Sequence, residues 1–155
     1  MNTFKRLFDR YKYWLNAFLL VLPAWYFYQT LNPKFPEALT AQTIGEFTIV
    51  PMPLDERAPY RHDGLYVKDF LFMFNQGEVD NIRQAYVNIG AQALSLNEFR
   101  SYELGILHGT KHGQHVHALT SQTFNSEDKI WLTIETWNGE VLQTAWPLPT
   151  QFLES

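Results

Sequence analysis

Four of the five histidines in this 155-residue chain lie within ten residues, at His108, His112, His115 and His117. Neutral imidazole is a common nitrogen ligand of zinc and copper, and a divalent ion needs several donors within about 2 Å. The cluster therefore predicts a site for a Cu or Zn ion, with all four histidines as candidate ligands. Because the chain has no cysteine, the other available ligands are carboxylates and methionine.

The spacing of these histidines suggests how they could converge. His115 and His117 are two residues apart in a segment typical of a strand, so their side chains leave the same face about 7 Å apart. If residues 102–107 form the preceding strand and the glycine-bearing segment 109–114 closes a hairpin, His108 pairs opposite His115. Three imidazoles would then share one face of the hairpin.

His112 falls in the loop of this hairpin, where it could cover the site as a fourth ligand or stay in solvent. A helix that places His108 and His112 one turn apart is the alternative, and the two glycines of the segment disfavour it. Histidine-rich segments also occur as hydrophilic turns or as pH-sensitive contact surfaces. Both interpretations remain open on the sequence.

Two other residues are candidates to join the site. His62 is followed by Asp63, which could orient its ring, but it lies far from the cluster in sequence. Met52 has a thioether that could bind Cu(I), although methionine more often fills space in a core. The sequence leaves both possibilities open.

The chain lacks the common signatures of catalysis and of nucleic-acid binding. There is no Gly-x-Ser-x-Gly, no phosphate-binding glycine loop and no His-Glu-x-x-His, so we expect a protein that is not an enzyme. Residues 41–155 contain seven Lys/Arg against fourteen Asp/Glu. This acidic segment would repel a phosphate backbone, and we expect no nucleic-acid partner.

The N-terminal segment has the features of a membrane anchor. Residues 1–12 are basic, residues 13–31 carry no charge, and tryptophan and tyrosine flank the apolar run. Nineteen helical residues extend about 28 Å. The pattern predicts a cytoplasmic segment at 1–12, a transmembrane helix at 13–31 and a linker at 32–44. A signal peptide cleaved near 38–41, or a buried soluble helix, is the alternative.

The remaining residues, 45–155, indicate an all-β domain. Alternating segments predict strands at 45–52, 65–75 and 82–89, and residues 91–100 fit a short helix or loop. Asn138-Gly139, between two further alternating runs, predicts a hairpin with a type I′ turn, in which both residues have positive φ. Short strands without crossover helices predict an antiparallel immunoglobulin-like sandwich.

These expectations combine into a functional hypothesis. The positive-inside rule places the N-terminus in the cytoplasm and the sandwich in the periplasm of a single-pass inner-membrane protein. We expect a membrane-anchored accessory protein that delivers or buffers copper or zinc for a membrane transporter or metalloenzyme. The alternative is an assembly or interaction subunit of a membrane protein complex that binds no metal.

Overall fold

The computed structural model describes residues 3–33 and 35–153, and the chain divides into two units, 1–34 and 35–155. The first unit consists of one helix, α1 (Thr3–Leu31), which is continuous across the predicted boundary between the basic segment and the anchor. The extreme ends of the predicted segments, at residues 1–2 and 154–155, and position 34 of the predicted linker lie outside the described residues.

Helix α1 does not have the composition of a membrane span. Among the described residues, no helix contains an apolar stretch long enough to cross a bilayer. The prediction of a transmembrane helix at 13–31 is therefore wrong, as is the single-pass inner-membrane localisation that followed from it. Absence of charge is not sufficient, because the tyrosines and tryptophans of this segment carry polar atoms. Asn16 and Pro23 also interrupt its aliphatic run.

The second unit is mainly β-structure, and its described residues, 35–153, form nine strands and two short helices. The strands are β1 (Gln42–Ile44), β2 (Phe47–Pro53), β3 (Tyr60–His62), β4 (Leu65–Gln76), β5 (Ile82–Gly90), β6 (His108–Thr110), β7 (Gly113–Thr120), β8 (Lys129–Thr136) and β9 (Val141–Pro147). A 3₁₀ turn (Val79–Asn81) precedes β5, and the helices are α2 (Leu96–Ser101) and α3 (Thr150–Leu153). The predicted strands at 45–52, 65–75 and 82–89 correspond to β2, β4 and β5, whereas residues 102–107 do not form a strand.

All nine strands belong to one sheet, in the order β1-β2-β4-β7-β5-β8-β9, with β3 paired to β4 and β6 to β7. The pairing is antiparallel except between β5 and β7, which are parallel at Asn88 and Leu119. At the two edges, the Gln42 amide of β1 donates to the Ala145 carbonyl of β9 over 2.9 Å. The sheet is thus nearly closed and barrel-like, and the prediction of an immunoglobulin-like sandwich is wrong. The alternating pattern predicts the strands, but it does not predict that β7 lies between β4 and β5 in the sheet.

The two faces of the central strands pack against different cores. Phe70 and Phe72 of β4 and Val116 of β7 are fully buried in the larger core. On the opposite face lies a smaller core of Val67, Tyr86, Phe99 and Leu119. Helix α2 begins with a capping box and contributes Phe99, whose ring stacks on Tyr86 with centroids 4.7 Å apart. Helix α2 therefore covers the part of this second face around Tyr86, and polar side chains lie on the part that α2 does not cover.

The β8–β9 hairpin differs from its prediction in its turn. Gly139 has φ +86°, but Asp63 is the one non-glycine residue with positive φ in the described part of the chain, so Asn138 does not adopt that conformation. The Asn138 side chain instead accepts a hydrogen bond from the Glu140 N–H over 3.0 Å. The Thr136 N–H donates to the Glu140 carbonyl over 3.0 Å, which closes a three-residue loop. The predicted type I′ turn is wrong.

Candidate metal centre

Strand β7 directs His115 and His117 to the partly solvated face of the sheet. The intervening Val116 and the following Ala118 have no exposed surface and point into the larger core. Because side chains alternate along a strand, burial of these two apolar residues forces both imidazoles to the opposite side. Their ring centroids lie 4.7 Å apart, as expected for two histidines that share a face.

His108 is brought to the same site by the short hairpin between β6 and β7. It pairs directly with His115, in the register that the spacing predicts. The turn is tighter than expected and consists of Lys111 and His112. Gly109 is required here, because it has φ +149° and a Cβ atom would lie 2.4 Å from the Gly113 carbonyl oxygen.

Asp69 is a further member of the cluster that the sequence did not reveal. It lies on β4, directly opposite His117 of β7. Its Oδ1 is 2.6 Å from Nδ1 of His117 and 3.8 Å from Nε2 of His115. The available signal was a carboxylate in a strand whose neighbours on the same face, Val67 and Leu71, are apolar.

Asp69, His115 and His117 together form a group that could hold a metal ion. One donor atom from each residue can be chosen such that all lie within 4.8 Å of one another. Ligands at about 2.0–2.1 Å in a tetrahedral zinc site are about 3.3 Å apart. Oδ1 of Asp69 is 3.8 Å from Nε2 of His115, which is near this value, whereas its 2.6 Å contact with Nδ1 of His117 is a hydrogen bond. All three side chains are about one quarter exposed, which leaves the site open to solvent.

Tyr60 and His62 of β3 complete the surroundings of this set. The Tyr60 hydroxyl donates to both carboxylate oxygens of Asp69 over 3.0 Å and lies 3.2 Å from Nδ1 of His117. Burial and the Asp69 carboxylate raise the pKa of Tyr60 to about 12, so the phenol is protonated. His62 stacks on His117 with centroids 4.6 Å apart. His62 thus reaches the cluster despite its distance in sequence.

The electrostatic environment favours neutral His115. Burial lowers the pKa of His115, and the neighbouring His117 and His108 lower it further, while the Asp69 carboxylate acts in the opposite direction. The net shift is downward. A neutral ring retains a lone pair, which is the form that binds a metal ion.

The remaining candidate residues lie away from the three-residue set. His112 is exposed in the β6–β7 turn, and within the described chain no ring contact or ion pair joins its side chain to the other histidines. Met52 pairs with Leu71, which in turn pairs with His115, so two inter-strand spacings, about 10 Å, separate Met52 from His115. A cleft of about 290 Å³ adjoins the cluster and is lined by Asp55, Arg57, Ala58, Tyr60 and Asp69.

Comparison with known proteins defines the family of this chain. No curated protein and no solved structure matches it. The model of one protein family, described as Uncharacterised conserved protein UCP029505, matches residues 7–149, which include nearly all of α1 and every strand of the sheet. The chain belongs to this family.

Proposed function

We propose that this protein is an accessory protein that binds one Zn(II) or Cu(II) ion through Asp69, His115 and His117 and delivers or buffers it for a transporter or metalloenzyme. The observation that supports the proposal is the convergence of three donor atoms from two neighbouring strands within 4.8 Å. Two imidazoles and one carboxylate are suitable ligands for either ion. Two histidines of the predicted ligand set are not ligands in this proposal. His108 lies next to His115, and His112 lies in the β6–β7 turn.

The exposure of the site supports delivery or buffering over permanent structural binding. A structural zinc site is closed by four protein ligands, whereas this set has three and borders a cleft. A partner protein or a water molecule could occupy the remaining position. The set contains no sulfur and Met52 is about two strand spacings away, so a divalent ion is favoured over Cu(I).

Calorimetric titration of the full chain with Zn(II) and with Cu(II) tests this proposal. We expect one site per chain and a dissociation constant below about 10 µM. Asp69→Asn, His115→Ala and His117→Ala should each weaken binding at least tenfold, about 1.4 kcal/mol, because the two remaining donors cannot complete the coordination shell.

His112→Ala is the matched control, because it also removes one imidazole from the cluster but lies in the exposed turn. Its affinity should equal that of the parent chain. Binding weaker than about 10 µM in the parent would reject the proposal. A loss confined to His112→Ala would place the metal at the turn and not on the strands.

A second candidate function is that of an interaction subunit that binds no metal. It is favoured by α1, in which none of the described residues is buried and large apolar side chains such as Trp14, Phe18 and Trp25 are more than half exposed. Tryptophan is enriched at binding hot spots. Co-purification of a stoichiometric partner that survives replacement of His108, His112, His115 and His117 by alanine would support this function over metal binding.

A further inference from the structure

We infer that His108 is a positioning residue, which holds His115 in the tautomer and orientation that direct its Nε2 lone pair at the metal. This inference rests on the proposed function for the identity of the ligands, but the hydrogen bonds that carry it are present without a metal. The sequence predicts His108 as a ligand, whereas here His108 is the hydrogen-bonding neighbour of the ligand His115.

A backbone contact fixes the tautomer of His108 itself. Its Nδ1 lies 3.1 Å from the Ile106 carbonyl oxygen. A carbonyl oxygen can only accept a hydrogen bond, so Nδ1 of His108 must carry the proton. In a neutral ring the other nitrogen, Nε2, is then an acceptor.

The contact between His108 and His115 then fixes the tautomer of His115. Nε2 of His108 lies 3.2 Å from Nδ1 of His115. Because Nε2 of His108 accepts, Nδ1 of His115 must donate, and the lone pair of a neutral His115 is therefore on Nε2. That nitrogen is the one that lies 3.8 Å from Asp69 Oδ1. The chain of contacts from Ile106 through His108 thus prepares His115 for metal binding.

Geometry also argues against His108 as a direct ligand. Both of its ring nitrogens are engaged, one with Ile106 and one with His115. Oδ1 of Asp69, in contrast, lies 2.6 Å from Nδ1 of His117 and 3.8 Å from Nε2 of His115. Metal-bound histidines commonly donate their second N–H to a neighbouring acceptor, and loss of that acceptor typically lowers metal affinity 10- to 100-fold. His108 is such an acceptor for His115.

Long-range ¹H–¹⁵N NMR on the metal-free full chain tests the inference directly. At neutral pH, His115 should be protonated at Nδ1 in the parent, and His108→Ala should abolish this preference. His108→Gln, whose amide oxygen can accept the same hydrogen bond, should restore it at least in part. Protonation of His115 at Nε2 in the parent chain would overturn the inference.

Metal binding provides a second and separate measurement. His108→Ala should weaken Zn(II) binding 10- to 100-fold, and the visible spectrum of the Co(II)-loaded variant should keep the parental band pattern because the ligands are unchanged. A His108→Ala spectrum altered in the same way as that of His115→Ala would identify His108 as a ligand and reject the inference. If His115 is protonated at Nδ1 in a chain that binds no metal, the tautomer assignment stands and the proposed function fails.

Discussion

Lys68 is the residue in the described part of the chain whose charge is most deeply buried. It lies on β4 next to Asp69 but points to the opposite face, and only 1% of its surface is exposed. Its ammonium forms an ion pair with Asp55 and donates to the Arg57 carbonyl over 2.6 Å. A buried charge is tolerated only when it is paired and hydrogen-bonded, so Asp55 is the residue on which Lys68 depends.

Asp55→Asn should therefore destabilise the protein by about 3 kcal/mol, because it leaves the Lys68 ammonium without a counter-ion. The double variant Asp55→Asn/Lys68→Met, which removes both charges, should recover much of this loss. Urea denaturation with an unchanged slope measures both effects. Asp63→Asn is the control, because the Asp63 side chain is 80% exposed and should change stability by less than about 0.5 kcal/mol. Equal costs for the two single variants would contradict this account of Lys68.

The same ion pair predicts a pH dependence. Partial burial raises the pKa of Asp55, but the hydrogen bond and charge of Lys68, with Arg57, outweigh it and lower the pKa below its ordinary value. A carboxyl group with a lowered folded-state pKa stabilises the protein above its unfolded-state pKa and loses that contribution as pH falls through the folded value. The stability difference between parent and Asp55→Asn should be constant from pH 7 to 5 and shrink below about pH 4. A difference that stays constant to pH 3 would show that ionised Asp55 does not contribute.

At the level of elements, the β6–β7 hairpin determines whether His108 reaches His115. The hairpin depends on Gly109, where a side chain would clash with the backbone of Gly113. Gly139, in the β8–β9 loop, also has positive φ, but a Cβ atom at that position would meet nothing within 4 Å. Substitution of Gly109 therefore introduces both a steric clash and the cost of positive φ, whereas substitution of Gly139 introduces the cost of positive φ alone.

Gly109→Ala should displace β6 from β7, remove the Nδ1–H preference of His115 and weaken Zn(II) binding about as much as His108→Ala, 10- to 100-fold. Gly139→Ala should cost about 1 kcal/mol of stability through its backbone conformation and leave metal affinity unchanged. Affinity and the His115 NMR signal are measured for both variants. If Gly109→Ala retains parental affinity, the hairpin does not position His115.

The same elements show what a local pattern can and cannot predict. Alternation predicted the common face of His115 and His117, and the hairpin spacing predicted the pairing of His108 with His115. Asp69 was missed because it joins the site through pairing of β4 with β7, which are 48 residues apart at His117. Asn138-Gly139 was misinterpreted because Asn138 stabilises the loop with its side chain and not with a left-handed backbone.

At the scale of the whole molecule, the sequence predicted strands but not their order. The closure of the sheet depends on contacts between its two ends, such as the hydrogen bonds that Gln42 makes with Ala145 and Thr144. Residues about 100 positions apart in the chain form this seam, and no periodicity within either strand reports it. The transmembrane prediction failed for a different reason, since it counted amphipathic aromatic residues as apolar.

Gln42→Ala should destabilise the second unit by about 1–2 kcal/mol, because two partly buried hydrogen bonds across the seam are lost. Amide hydrogen exchange should accelerate first in β1 and β9. Thr43→Ala removes an exposed hydrogen bond between the Thr43 and Thr48 hydroxyls and should have a smaller effect. Acceleration spread evenly over the sheet would indicate that Gln42 does not hold the seam.

The two faces of β7 differ in polarity, and this difference makes a mispaired sheet less stable than the correctly paired one. A slip of one residue in the pairing of β4 with β7 would turn His115 and His117 into the larger core and expose Val116 and Ala118 to water. Such a mispaired chain would bury two imidazoles without partners and lose the packing of two apolar side chains, which together cost several kcal/mol. The alignment of Asp69, His115 and His117 is therefore enforced by residues outside this group, and mutations of Val116 are a route to disrupting it without altering any of the three.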